Sequence, residues 1–124
     1  MKTVNFLVEK TATGFTAYAV EYSILAIGKS LKQVYEEAEA GLAEQCEYLG
    51  ESLTDYELVF TYDFPTLFEV YGLNVKVVSS VTGLNSTLIS QYINGKKKPS
   101  RKQKNRIEAG IHSYARGLEN FRFA

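Results

Sequence analysis

The side chains with the clearest chemical use lie in the last two-fifths of the chain. Residues 72–124 hold ten Lys and Arg against two Glu (Glu108 and Glu119), a net charge of +8, and three of the cations are consecutive: Lys96-Lys97-Lys98. Such a set suits a polyanion such as DNA. Residues 1–71 are the reverse, with Lys2, Lys10, Lys29 and Lys32 against twelve acidic side chains, a net charge of −8. The 124-residue chain sums to zero only as an average over two halves suited to partners of opposite charge. The acidic half repels DNA and suits a basic partner.

Catalytic chemistry leaves no comparable signal. A nuclease working through divalent metal needs several converging carboxylates, whereas the only aspartates are Asp55 and Asp63. The glutamates of the first half mostly crowd one helix face. The single Cys46 excludes an internal disulfide and a cysteine-only metal site within one chain, and it falls on an apolar stripe that reads as core. The single His112 leaves no repeated His ligand pattern, and no nucleophilic triad is visible. The chain therefore reads as a non-enzyme with no metal and no cofactor. No apolar run approaches the roughly 20 residues of a membrane span. The start MKTVNFLVEKTATG has too short an apolar stretch for a signal peptide, so a soluble cytoplasmic protein is expected.

The elements that must carry these residues follow from periodicity. With 45% hydrophobic residues the chain can form one compact domain or two small ones. Thr3 to Glu9 alternates as a strand, with Val4, Phe6 and Val8 on one face. Thr13-Gly14 is a turn, Phe15 to Val20 a second strand paired with the first, and Ile24 to Ile27 a short third strand ending at Gly28. Ser30 is a helix N-cap and Gly50 a C-cap. Between them Leu31, Val34, Tyr35, Ala38, Leu42, Cys46 and Leu49 form an apolar stripe, with Glu36, Glu37, Glu39, Glu44 and Glu47 mostly off it. Tyr56 to Tyr62 alternates as a fourth strand. The fold class is α+β: a β-β-β-α-β module over residues 1–63, then an all-α module over 64–124, with the boundary at about residue 64. Pro65 sits near the start of a short helix that Gly72 ends.

Residues 75–95, VKVVSSVTGLNSTLISQYING, carry a helix, a turn and a second helix. Val75 to Thr82 is the first helix, with Val78 and Val81 buried and Ser79 small enough for a close crossing. Gly83 permits the turn, Leu84 plugs it, and Asn85 caps a second helix with Leu88, Ile89 and Tyr92 inward. This is the helix-turn-helix pattern, whose second helix lies in the major groove. With the following NGKKKPS (Asn94 to Ser100), the stretch resembles Xre/Cro-type DNA-binding domains over about residues 65–117. The resemblance implies that Ser86, Thr87, Ser90 and Gln91 project toward base edges. It also implies that Lys76, Lys96, Lys97, Lys98, Arg101 and Lys102 contact phosphates, which adds affinity but little sequence information. Lys76 and Ser86 stand where many relatives carry Gln, so base preference does not carry over. Ser100 caps a long helix to about Arg116, with Ile107, Ile111 and Ala115 inward, and Gly117 breaks it. The tail Leu118 to Phe123 alternates apolar and polar; it either pairs with a sister chain as a strand or folds onto its own domain. DNA readers of this kind usually dimerise to match two half-sites.

A hairpin, a third strand, a helix and a fourth strand before a helix-turn-helix resemble the HicB antitoxin family. The features are the opening hairpin, the Gly-Lys-Ser-Leu start of the helix and the Glu/Ala-rich helix itself, within Val4 to Leu49; Glu21-Tyr22-Ser23 stands where many members have a Pro-Gly-containing loop. The resemblance implies a partial RNase H-like first module that binds a small basic HicA-type toxin, an mRNA-cleaving ribonuclease, and a second module that represses the shared operon. The acidic helix face (Glu36, Glu37, Glu39, Glu44, Glu47) would then be partner-binding, mimicking RNA and steering the toxin. The expected function is an antitoxin-like repressor with operator DNA, a HicA-type toxin and further copies of itself as partners, homodimer or higher. A stand-alone regulator whose first half binds another protein or only assembles oligomers, and a scaffold with no DNA ligand, are the alternatives.

Overall fold

The computed structural model describes all of residues 1–124. The chain is α+β, with a four-stranded mixed sheet and five α-helices. It divides into two compact units, Met1–Thr66 and Leu67–Ala124.

In the first unit β1 (Lys2–Lys10) and β2 (Phe15–Ala19) form an antiparallel hairpin in which Leu7 faces Tyr18. The Thr11 N–H closes its loop on the Gly14 carbonyl at 2.8 Å. Glycine is required there, because a Cβ on residue 14 would lie 2.1 Å from the Gly28 carbonyl oxygen. β2 stops at Ala19, one residue before the expected Val20. The connection to β3 (Ile24–Gly28) takes Val20–Tyr22 into a single 3-10 turn, and Ser23 becomes left-handed (φ 52°) to complete it. After α1 (Leu31–Leu49) the chain returns as β4 (Tyr56–Tyr62), parallel to β1 with Val4 opposite Leu58. The strand order is β3-β2-β1-β4.

α1 is fixed at both ends by its caps. The Ser30 side chain accepts the Gln33 N–H (3.1 Å), the Gln33 side chain accepts the Lys29 N–H (2.8 Å), and Gly50 is left-handed at φ 70°. Val34, Ala38, Leu42 and Cys46 are buried against Val4, Phe6, Val8, Ala17, Ala19, Ile24 and Ala26. A small residue on α1 lets the helix sit close to the sheet: a Cβ on Gly41 would meet Ile24 of β3 at 2.9 Å. Leu31 and Tyr35 are half-buried on this core. Leu49 departs from the expected stripe and is exposed, because it lies at the helix end beyond Cys46, the last buried residue.

Lys2 Nζ lies 3.6 Å from Glu51, and the Tyr56 hydroxyl donates to the same carboxylate. The Tyr56 hydrogen bond first, and the Lys2 charge after it, hold the Glu51 carboxyl below its ordinary 4.5. The Glu51 charge raises Lys2, and the hydrogen bond to Glu51 raises Tyr56. Glu51 therefore contributes stability above its unfolded value, and the contribution is lost as pH falls through the folded one. Tyr56 and Lys2 contribute fully below their ordinary values of 10.0 and 10.5, and the contribution is lost as pH rises through the raised ones. Glu51→Gln is expected to flatten both arms of a plot of urea midpoint against pH, read at about pH 3, 7 and 11, by lowering the neutral value toward the two ends; the change is small, since exposed pairs are weak.

The second unit begins within α2 (Phe64–Val70), which Asp63 caps by accepting the Thr66 N–H at 2.9 Å. Gly72 follows with φ 58°. α3 (Val75–Thr82), α4 (Ser86–Ile93) and α5 (Arg101–Asn120) pack together, α3 touching both others. Val78, Thr82, Leu84, Ile89, Tyr92 and Ile107 are buried. Val81, expected inside, is exposed, and Thr82 takes the inner position four residues after Val78. A polar residue is tolerated there because its hydroxyl donates to the Val78 carbonyl (2.7 Å) and accepts the Leu84 N–H (3.2 Å). α5 runs through Gly117 to Asn120 rather than ending at Arg116. A single glycine costs a helix only about 1 kcal/mol, too little to stop one already four turns long. Ile111 is half-buried and Ala115 exposed, so the inner face of α5 centres on Ile107 and Gly110 instead. In the single chain the tail forms no strand: Leu118 to Asn120 are helical, and Phe121 and Phe123 are exposed in an irregular end.

Candidate nucleic-acid interface

Local rules build the α3–α4 pair. Asn74 caps α3 by accepting the Lys76 N–H at 2.8 Å. Gly83 takes φ 72° and its N–H reaches the Ser79 carbonyl, while the Ser79 hydroxyl donates to the Leu84 carbonyl. Ser79 thus ties the turn by hydrogen bonding, beyond merely being small. Asn85 caps α4 by accepting the Thr87 N–H at 2.7 Å. Ile89 and Tyr92 are buried, which turns Ser86, Thr87 and Ser90 outward; all three are exposed, and Gln91 is half-buried beside them. Ser86 with Ser90, and Thr87 with Gln91, are four apart and so stack along one helix face.

The lysine run is held against the end of α4. The Asn94 side chain accepts the Lys96 N–H at 3.1 Å, and the Gln91 carbonyl accepts the Lys97 N–H at 3.2 Å. Gly95, at φ 80°, makes the reversal. The three lysine side chains are exposed, as are Lys76, Arg101 and Lys102. Ser100 caps α5 through the Gln103 N–H at 3.2 Å, so Arg101 and Lys102 open its first turn.

Two residues that position this surface went unread in the sequence. The Arg106 Nε donates to the Thr82 carbonyl at 2.8 Å, capping the end of α3 from α5. Gly110 lets α5 approach α3: a Cβ there would meet Thr82 at 2.7 Å and the Val81 carbonyl oxygen at 3.0 Å. A glycine in the middle of an otherwise helical run was the available signal.

The arrangement offers hydroxyls, an amide, backbone N–H groups and ammonium and guanidinium side chains on one short stretch of chain. No acidic residue lies in the first turn of α3, α4 or α5. The five glutamates of α1 singled out above (Glu36, Glu37, Glu39, Glu44, Glu47) are exposed. Of the other candidate groups, Cys46 is buried and His112 is exposed on α5. No helix is long and apolar enough to cross a membrane. In comparisons with protein-family models, curated proteins and solved structures, nothing matched this chain.

Proposed function

We propose that the chain is an antitoxin-like transcriptional repressor. The unit of residues 67–124 binds operator DNA through a helix-turn-helix made by α3 and α4, and the unit of residues 1–66 neutralises a small basic mRNA-cleaving toxin of the HicA kind. The DNA reading rests on one observation above all: cations stand where helix stability disfavours them. α3 and α5 open on Lys76 and on Arg101 and Lys102, with no acid in either first turn. A helix N-terminus is already positive, and a cation there costs roughly 0.3–1 kcal/mol. Phosphates at these N-termini would convert that cost into binding. The hydroxyl and amide face of α4 supplies groups able to hydrogen-bond base edges. The acidic unit, with its element order β-β-β-α-β, supports the toxin reading through charge: Met1–Thr66 holds four cations against eleven acids, a net −7.

Binding of the chain to the DNA upstream of its own gene, and to scrambled DNA of the same length, tests the division of roles. Gln91→Ala is expected to narrow the gap between operator and scrambled DNA by about 1–3 kcal/mol. Lys97→Ala is expected to weaken both alike. Equal loss of specificity from the two variants refutes the assignment.

A further inference from the structure

One large surface of the first unit has no role in the reading above. Val4, Phe6, Val8, Ala17, Ala19, Ile24 and Ala26 lie under α1, so strand alternation sends Leu7, Tyr18, Leu25 and Ile27 to the opposite face of the sheet. Register aligns three of them in one row, Leu7 opposite Tyr18 and Tyr18 opposite Leu25. Ile27 stands in the next row, opposite Thr16. All four are exposed, at 42%, 43%, 58% and 65%. A sheet with one covered face usually turns polar side chains outward; β3 turns only Leu25 and Ile27 outward, and β3 is an edge strand. Val20, 73% exposed, adjoins them, and a shallow depression is lined by Leu7, Tyr18, Val20, Asn5, Thr61 and Glu21.

The charged side chains that the strands themselves turn to this face have one sign, and Lys29 follows directly after β3. Glu9 and Glu57 are the only charged strand residues with the parity of the open face, and Glu21 lies in the adjoining turn. Lys2 and Lys10 share the parity of the α1 side. An apolar centre with an acidic rim is the composition of a protein-binding patch. Beside the α1 glutamates the large exposed apolar side chains are only Tyr48 and Leu49, at the end of the helix, and exposed charge alone speeds encounter more than it holds a complex. A second copy laid face to face would set Glu9, Glu21 and Glu57 against their own kind, and two units of net −7 against each other. A cationic partner meets neither penalty.

We propose that the open sheet face is where the unit of residues 1–66 grips a cationic protein. An apolar side chain of the partner fills the depression at Leu7, Tyr18 and Val20, and its Lys or Arg residues meet Glu9, Glu21 and Glu57. The α1 glutamates steer the encounter and contribute little to the final affinity. The partner's identity as a basic toxin rests on the function proposed above; the choice of surface rests on the sheet.

The test uses the full chain and the basic protein encoded by the adjacent reading frame, co-expressed, with affinity measured by calorimetry. Tyr18→Arg combined with Leu25→Arg is expected to weaken the complex about 100-fold or more. The uncharged pair Leu25→Ser and Ile27→Ser is expected to weaken it about 10-fold. Glu36→Gln with Glu39→Gln and Glu44→Gln is expected to stay within about 10-fold and to act mainly on the association rate and its salt dependence. These sites are exposed, and unchanged circular dichroism and operator binding serve as folding controls. A complex that survives the sheet-face variants but is lost with the α1 variants overturns the surface and leaves the toxin reading standing. No complex with the wild-type chain overturns both. A wild-type homodimer split by Tyr18→Arg puts a second copy on the face and overturns the proposal.

Discussion

Operator affinity is expected to fall about a thousandfold when salt rises from about 50 to about 200 mM. The argument is a count of released counterions. Lys76, Lys96, Lys97, Lys98, Arg101 and Lys102 are all exposed. Six phosphate contacts give a slope of about −5 in log affinity against log salt, and a fourfold rise in salt then costs about three powers of ten. Three of the six sit on the segment tied to the end of α4 through the Lys96 and Lys97 N–H groups. Replacing Lys96, Lys97 and Lys98 together by Ala leaves about three contacts, a slope near −2.7 and a salt loss of only about 40-fold. Fluorescence anisotropy titrations of the wild type and the triple variant across that salt range read both slopes. An unchanged slope in the variant removes these lysines from the phosphate interface. A flat slope in the wild type removes the DNA reading itself.

What could be read from the sequence depended on whether the decisive contact was local. Ser30 and Gly50 bound α1 to the residue because each cap is made by its own side chain or its own φ. The α3 turn was legible for the same reason, with Gly83 left-handed and Asn85 capping the next helix. The apolar row on the open sheet face was not legible. Leu7, Tyr18 and Leu25 lie on three strands, and only the register sets them side by side. Ile24 to Ile27 reads Ile-Leu-Ala-Ile, apolar at every position, so no alternation says which pair faces inward. Pairing with β2 decides it, because Ile24 stands opposite Ala19 and Ala26 opposite Ala17, both buried in the core under α1. In the second unit Val81 lost its place to Thr82 because a hydroxyl with two local partners is cheap to bury. Periodicity scores side chains by polarity and does not see those partners. Gly110 and Gly117 show the same limit: one is needed for helix contact and the other only passes through the helix, and the sequence draws both alike.

Ile89→Ala is expected to unfold much of the second unit under conditions in which the first keeps its structure. Ile89 is fully buried on the inner side of α4. Truncating such a residue costs about 2–5 kcal/mol, because the lost transfer energy adds to the cavity left behind. A 58-residue unit, Leu67–Ala124, has about 3–9 kcal/mol in total at typical stability per residue. The substitution therefore removes about a fifth of it or more, and each kcal/mol moves the melting temperature of a domain this small by about 4–8 °C. The first unit has its own core around Phe6 and Leu42, both fully buried, and makes no use of Ile89. Hydrogen exchange resolved by residue distinguishes the two units. Amides of α3, α4 and α5 should lose protection in the variant, while those of β1, β2 and α1 hold theirs. DNA binding should fall with the first group, since the cap and turn that present Ser86 to Gln91 depend on α4 being seated by Ile89. Phe6→Ala gives the reciprocal experiment at about 3–5 kcal/mol, lowering protection in the sheet while operator binding persists. Loss of protection in both units from either substitution would mean that they unfold as one cooperative body, and partner capture and DNA binding would then rise and fall together.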